Sequence, residues 1–407
     1  MKAPAISVDV HHHLTPDLRQ RIIDDVRARM QEPSYRLLSP EHLRELAQLD
    51  TGGPALTSLY LQLTPERRTG RAWQTALSAL AHTALQLADN AMQKMVRADI
   101  GEIERALNDQ LPALGRGAAF FVCRERGIWR QIALPIALPD QIRIGTRPYL
   151  RPMLRSWGSH DRTLIALLSR EQSRFFATHL GTLEEIYRVK GQRIRGMLTD
   201  RVPLDRRDAV AASIIKDEAK ALAAMAELIN REFEASNILL SGSPEMSAAF
   251  RGYLSKHLVD RITPFEASIH ASPVEIAAAA APVQQQLRLR AEREVLEALR
   301  EAVPGAASTG TQETLDCLGA GRVLKLVADD SYVARGIQCR QCQRLFELAQ
   351  MHTCPCCGST LLEPVDDLVE AALQQALDRR ASVAFIREPD YRVAFAARAP
   401  LQALLRY

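Results

Sequence analysis

Four cysteines near the end of the sequence constrain this chain more than any other feature. They fall as Cys339-x2-Cys342 and, after eleven intervening residues, Cys354-x2-Cys357. Each pair makes a sharp turn, and two such turns facing one another place four thiolates around one tetrahedral Zn2+, as in a zinc ribbon over 336–361. The second turn reads Cys354-Pro355-Cys356-Cys357-Gly358. Proline fixes the entry to it, and Gly358 can take the left-handed backbone angle that a metal knuckle needs. Cys356 is a fifth candidate, but the two-residue spacing and Gly358 favour Cys357. With thiolates in all four positions and none open for water, a structural role follows rather than a catalytic one. Disulfides are the competing reading. The cysteines are clustered rather than spread as a framework, and the start Met1-Lys2-Ala3-Pro4 has no apolar signal region.

A chain of 407 residues exceeds one ordinary core, so two or three domains are expected. Hydrophobic residues make up 47% and charged residues 25%, which places it among soluble globular proteins. No apolar run reaches the length of a membrane span, and a cytoplasmic location with no membrane partner is the expectation. The net charge is only +4, but it is unevenly spread. Arg188 to Asp208 holds seven Arg/Lys against three Asp, and Phe121 to Arg155 holds seven Arg against two acidic residues. Basic stretches on a balanced chain suit a phosphate-backbone binder. Solvated arginines serving solubility are the alternative for either stretch alone.

The pattern predicts a strand at Ile6 to Val10, with His11, His12 and His13 as ordinary polar positions. Helices follow at Thr15 to Met30 and Ser39 to Leu49. A strand at Ala55 to Leu63 precedes helices over Arg71 to Met95 and Ile100 to Leu111. Strands are expected at Ala118 to Cys123 and Trp129 to Leu134, then a turn-rich segment from Pro135 to Arg147. Three strands (Thr163 to Leu168, Ser173 to His179, Leu183 to Val189) lead into Lys190 to Asp208, which has no hydrophobic period and is expected to be an exposed loop. A helix to about Phe233 buries Ala211, Ile214, Ile215, Leu222, Ala226, Ile229 and Phe233. A strand from Asn237, an alanine-rich helix ending near Ala281 and a separate helix from Val283 to Val303 come next. The last part has a helix at Gln312 to Leu318, a strand at Arg322 to Leu326, the cysteine module, a helix at Pro364 to Asp378 and a strand at Ser382 to Phe385. Strand, helix and strand in this order give a mixed α/β class, not a bundle. Tyr60 is placed in the core, and Cys123 and Cys317 are expected as buried thiols.

In order, these segments resemble the archaeo-eukaryotic release factor and Pelota superfamily, in its bacterial branch of archaeo-eukaryotic release factor families and Balon-like hibernation factors. The resemblance is carried by "SLYLQL" (58–63), "GRGAAFFVCRERGIW" (115–129) with "RPYLRPML" (147–154), "LIALLSREQSRFFATHLGTLEEIYRV" (164–189), "NILLSGSPE" (237–245) and "TGTQETLDCLGAGRVLKLV" (309–327). It implies three domains: 1–158, a central domain 159–281 with the basic loop 190–208, and 282–407 with the zinc ribbon inserted, as in archaeal members. Release factors place water on the peptidyl-tRNA ester with a Gly-Gly-Gln tripeptide. Here only Gly191-Gln192 is similar, preceded by Lys190. Counting back from Ser241-Gly242-Ser243, the tripeptide is expected nearer Gly196 to Asp200, which reads Gly-Met-Leu-Thr-Asp. A glutamine displaced this far misses the ester. Thr64 to Thr69 lacks the Asn-Ile-Lys-Ser of stop-codon readers.

Lys190, Arg193, Arg195, Arg201, Arg206 and Arg207 remain as candidate contacts to rRNA or tRNA phosphates, with Arg67, Arg68 and Arg71 as a second candidate patch. The resemblance implies a translation factor that occupies the ribosomal A site in hibernation, rescue or quality control without peptide release, with an elongation-factor-like GTPase as a delivery partner. The alternatives are a peptidyl-tRNA hydrolase using Gln192 and an RNA-binding protein that acts away from ribosomes. No Ser-His-Asp set, phosphate-binding Gly-rich loop or His-Glu-x-x-His motif supports another enzyme class.

Overall fold

A computed structural model describes residues 6–9, 14–32, 39–111, 114–157, 162–190, 207–347 and 351–406. The chain forms two compact units, Met1–Leu37 with His160–Arg288, and Leu38–Ser159 with Leu289–Tyr407. In chain order the first half runs β1 (Ile6–Asp9), α1 (Pro16–Gln31), α2 (Pro40–Ala47), β2 (Leu56–Gln62), α3 (Pro65–Thr69), α4 (Ala72–Leu87), α5 (Asn90–Gln110), β3 (Gly117–Cys123), β4 (Ile128–Leu134), β5 (Gln141–Gly145) and α6 (Arg151–Trp157). It continues with β6 (Thr163–Leu168), β7 (Gln172–His179), β8 (Thr182–Lys190), α7 (Arg207–Phe233), β9 (Asn237–Gly242), α8 (Pro244–Tyr253), α9 (Lys256–Val259) and β10 (Ile262–Pro264). The remainder is α10 (Pro273–Glu301), β11 (Ala307–Ser308), α11 (Thr311–Gly319), β12 (Val323–Asp329), β13 (Gly336–Cys339), β14 (Leu345–Phe346), β15 (Leu362–Val365), α12 (Leu368–Asp378), β16 (Ser382–Ile386), α13 (Pro389–Ala396) and β17 (Leu401–Leu405).

The first unit is built on a six-stranded sheet in the order β1-β8-β7-β6-β9-β10. β1 pairs parallel with β8, Ile6 facing Tyr187, so the opening strand of the chain is an edge of this sheet and lies with the 160–288 segment. One sheet face packs Leu164, Ala166, Phe175 and Tyr187 against Leu222, Ala226 and Ile229 of α7 and Ile22 and Val26 of α1. The other packs Ile165, Leu167 and Phe176 against Ile276 and Ala280 of α10. This two-sided burial explains why the central strands read as continuous apolar runs.

The second unit holds two four-stranded sheets, β4-β3-β2-β5 and β11-β17-β12-β16, and the three-stranded β14-β13-β15. Leu59, Leu61, Phe120 and Val122 on the first of these sheets pack against Trp73, Leu77, Val96, Ile103 and Leu107 of α4 and α5. A buried polar clasp joins α6 to α12. Glu370 accepts hydrogen bonds from the backbone N–H of Leu150 at 2.7 Å and of Arg151 at 2.8 Å, and from Gln374 Nε2 at 2.9 Å. The Arg151 guanidinium pairs with Asp367 at 2.9 Å and donates to the carbonyls of Asp330 and Tyr332. A carboxylate at the first amides of α6 stands where an anion is favoured, against the positive end of the helix. Burial still dominates. It raises the Glu370 carboxyl to about 7, with Asp367 adding to the shift, and it raises the Tyr149 hydroxyl beside it to about 12.

Several expected elements differ. The break between α4 and α5 falls at Ala88-Asp89, where the Asp89 carboxylate accepts from Met92 N at 2.8 Å and caps a new helix, rather than between Met95 and Ile100. The two helices expected on either side of Pro282 are one, α10, with the proline inside it. The turn-rich segment after Pro135 contains β5, which pairs with β2 along five residues. Tyr60 is fully buried and donates its hydroxyl to Tyr149 O at 2.6 Å. Cys123 and Cys317 are buried thiols, each with its pKa raised by burial. The histidines 11–13 lie outside the described residues.

Candidate functional site

Both cysteine pairs sit in tight turns of one design. In the first, Gln343 N donates to Cys339 O at 2.8 Å, and Gln343 adopts φ 59°. In the second, Gly358 N donates to Cys354 O at 2.8 Å, and Gly358 adopts φ 71°. The residue after the second cysteine is left-handed in both. Glycine signalled this in the sequence, whereas Gln343 holds the same conformation without that signal and with the strain a side chain adds there. The sulfurs of Cys339, Cys342, Cys354 and Cys357 all lie within 4.8 Å of one another. Cys339 and Cys357 Sγ are 3.6 Å apart, and Cys342 and Cys354 Sγ are 3.5 Å apart. Four thiolates bound tetrahedrally at about 2.3 Å stand about 3.8 Å from each other, so the donor set and its size fit a metal ion. These separations are far above the bonding distance of a disulfide. Cys356 is exposed and contributes no sulfur to the group.

The cluster has an electrostatic conflict without a cation. Burial opposes ionisation of Cys354, but the amides of Cys356 and Cys357 together with the thiols of Cys342 and Cys357 bring it down to about 6. Cys342 is pushed up to about 12 by burial and by the neighbouring thiols. A divalent cation held by Cys339, Cys342, Cys354 and Cys357 would resolve the conflict by favouring the thiolate at each. Ile337, Cys339, Phe346 and Cys354 form a small core of their own with Met351 and Leu362 around them.

In the first unit, β7 and β8 form a hairpin turned by Leu180 at φ 48° and Gly181 at φ 71°. β8 ends at Lys190, which is exposed and pairs across the sheet with Gln172 and with Asp9. Gln192, Arg193, Arg195, Arg201 and Arg206 lie outside the described residues. So does the side chain of Arg207, whose backbone opens α7. The strands leading there are held by charge. Arg174 pairs with Glu185 at 2.7 Å, Arg188 pairs with the same carboxylate at 2.8 Å, and Arg29 of α1 bonds Asp25 and Glu184. On α7, Glu218 is buried, neither carboxylate oxygen has a partner among the described residues, and burial raises its pKa to about 7.

Residues 148–286 match the sequence pattern of the bacterial archaeo-eukaryotic release factor family 10. The central segment resembles that release-factor family. This segment holds β6 to β10 and α7, and it is narrower than the resemblance read from the sequence, which ran over nearly the whole chain. Among solved structures, the chain is similar to an archaeal translation termination factor at 15% identity, covering 90% of this chain and 96% of that one, with a TM-score of 0.23. It is similar to Archaeoglobus fulgidus Pelota at 13% identity, covering 72% and 79%, with a TM-score of 0.31. It is also similar to S. cerevisiae Dom34 at 10% identity, covering 72% and 79%, with a TM-score of 0.39. No curated protein matches the chain in sequence. Among the described residues, no helix is long and apolar enough to cross a membrane.

Of the second candidate patch, Arg67 and Arg68 are engaged within the protein, and Arg71 is exposed with no ion pair among the described residues. Arg67 pairs with Asp140. Arg68 donates to Leu63 O at 2.8 Å and also to the carbonyls of Leu114 and Gly115, stapling the turn before β3. The basic stretch from Phe121 to Arg155 is absorbed in part, through four of its seven arginines. Arg124 pairs with Glu102 at 3.0 Å, Arg147 with Asp378 at 3.2 Å, Arg151 with Asp367, and Arg155 with Asp330 at 2.5 Å. Sequence counting missed these partners because three of the four carboxylates lie more than 170 positions away.

Proposed function

We propose that this protein is a ribosome-associated translation factor that enters the A site and occupies the peptidyl-transferase region without releasing the peptide. The observation that carries this is the match of residues 148–286 to a release-factor family in a sequence that has no Gly-Gly-Gln. Strand β8 and helix α7 bracket the segment from Lys190 to Arg207, in which four further arginines stand at 193, 195, 201 and 206. Guanidinium groups bind phosphate oxygens in pairs, and each neutralised phosphate makes binding weaken as salt rises. A segment of this composition grips RNA, and without the Gly-Gly-Gln tripeptide it places no water on an ester. Hibernation, rescue and quality control are the roles that need such an occupant, and an elongation-factor-like GTPase is the proposed deliverer. The four-cysteine module takes Zn2+, which suits an all-thiolate tetrahedral site, and its role is to fold the ribbon.

Sedimentation with 70S ribosomes across a potassium chloride series tests the reading. Co-sedimentation at low salt that fades as salt rises is expected, and none at low salt overturns it. Release of labelled peptide from peptidyl-tRNA is measured beside it, and none is expected. Release that disappears in Gln192→Ala establishes the hydrolase instead. Binding to free RNA but not to ribosomes establishes an RNA-binding role away from translation.

A further inference from the structure

We propose that one end of the sheet β11-β17-β12-β16 is a second RNA-backbone docking surface, formed by Arg322, Lys325, Arg344, Arg379, Arg380 and Arg406. This deepens the proposed function and rests on it for the identity of the RNA. β12 and β16 begin at this end and β17 finishes there, because β12 runs parallel to β16 and antiparallel to β17. Helices α11 and α12 also end here. Arg406 N donates to Arg322 O at 2.8 Å, and its guanidinium donates to Arg379 O at 2.8 Å. Arg379 Nη1 lies 3.2 Å from where a Cβ would stand on Gly321. Arg380 is two residues before Ser382, the strand partner of Lys325. Arg344 crosses Gly319 at the close of α11 and donates to Asp316 O at 2.9 Å. Six cations from four chain segments therefore meet in one place.

Five of them lack counter-charge and are gathered together, whereas Arg67, Arg124, Arg147, Arg151 and Arg392 of the same unit face carboxylates. Among the described residues, Lys325, Arg344, Arg379, Arg380 and Arg406 form no ion pair with any Asp or Glu. Arg344 and Arg406 each use one N–H on a helix-end carbonyl, which leaves the rest of the fork for an external acceptor. Gathering like charges without partners costs self-repulsion, and a ligand carrying regularly spaced negative charge removes that cost. A phosphate backbone is such a ligand, and guanidinium forks match its oxygens in pairs.

The test is anisotropy of a fluorescein-labelled RNA hairpin across a potassium chloride series, using the full chain. Lys325→Gln with Arg380→Asn removes two cations, asparagine being suited to the left-handed backbone of Arg380 at φ 56°. Lys94→Gln with Arg97→Gln on α5 is the control. Losing two phosphate contacts lowers the slope of log K against log salt by about 1.5, and the single Arg380→Asn lowers it by about half of that. The control keeps the wild-type slope. Matching melting curves and zinc content show that each variant is folded. Equal slopes for wild type and double variant overturn the proposal, as does no wild-type binding to the hairpin. An unchanged RNA slope alongside lost capture of an acidic protein likewise overturns it, in favour of a protein partner. Ribosome sedimentation of the same proteins separates the two claims. Ribosome binding with unchanged RNA slopes removes this surface alone. A shifted RNA slope without ribosome binding supports the surface and removes the ribosome.

Discussion

The clasp between α6 and α12 makes stability depend on pH with a definite sign. Glu370 is 6% exposed, and its carboxyl rises from 4.5 to about 7 on folding, chiefly through burial. A carboxyl whose pKa is raised in the folded state binds its proton more tightly there, so its contribution is fully present below about 4.5 and is lost as pH rises through about 7. Between pH 5 and pH 8 the loss comes to about 2.5 kcal/mol, a tenfold change in proton affinity being worth about 1.4 kcal/mol. For a unit of this size that is roughly 5 to 10 °C in melting temperature. Glu370→Gln removes the titration and turns an amide N–H2 toward one of the two backbone donors, at a fixed cost of about 1–3 kcal/mol. The assay is differential scanning fluorimetry of wild type and Glu370→Gln across that pH range. The advantage of wild type over the variant shrinks as pH rises. An advantage that stays constant or grows refutes the reasoning, because it means that the three donated hydrogen bonds outweigh burial and hold the carboxylate ionised.

Three further outcomes are expected. Glu218→Leu removes a buried carboxyl that has no hydrogen-bond partner among the described residues; it raises the melting temperature of the first unit at pH 8, by about 1–3 kcal/mol in stability, with a smaller gain at pH 5, where the wild-type group is protonated. Cys342→Ser abolishes stoichiometric zinc in metal analysis and opens the segment around Cys339 to Cys357 to proteolysis, whereas Cys356→Ser changes neither. Arg68→Ala leaves carbonyls of Leu63, Leu114 and Gly115 without their donor and lowers stability by about 1–3 kcal/mol in denaturant titration, while Arg71→Ala is near neutral.

Local chemistry made much of this fold legible. Thr15 and Ser39, each before a proline, cap α1 and α2 where their sequence signals stand. The 3.6-residue spacing of Ile215, Leu222, Ala226 and Ile229 marked the face of α7 that lies in the core. What stayed hidden depends on distant partners. β5 is flanked by prolines that read as turns, and only its pairing with β2, more than 80 residues earlier, makes it a strand. The helix α6 starts on Arg151-Pro152, and the carboxylate at its first amides comes from Glu370, 219 positions later. Pro282 read as a helix end because it lacks a donor and crowds the preceding turn. Flanking alanines and Ile276 and Ala280, buried against the sheet, carry the helix through it.

Charge follows the same logic and decides where function is to be sought. A run of arginines in sequence is a property of neighbours along the chain, whereas a binding surface is a property of neighbours in space. The stretch from Phe121 to Arg155 is the richer in arginine, yet four of its seven arginines face carboxylates brought from elsewhere in the unit. The cations at the end of β12 never form a run, being drawn from positions 322 to 406, and five of them face no carboxylate among the described residues. Folding therefore inverts the ranking that counting suggests. The conspicuous stretch holds the unit together, and the scattered residues keep their positive potential for a partner. Salt dependence distinguishes the two, since a screened surface cation releases counterions on binding RNA while a buried pair such as Arg151 with Asp367 does not.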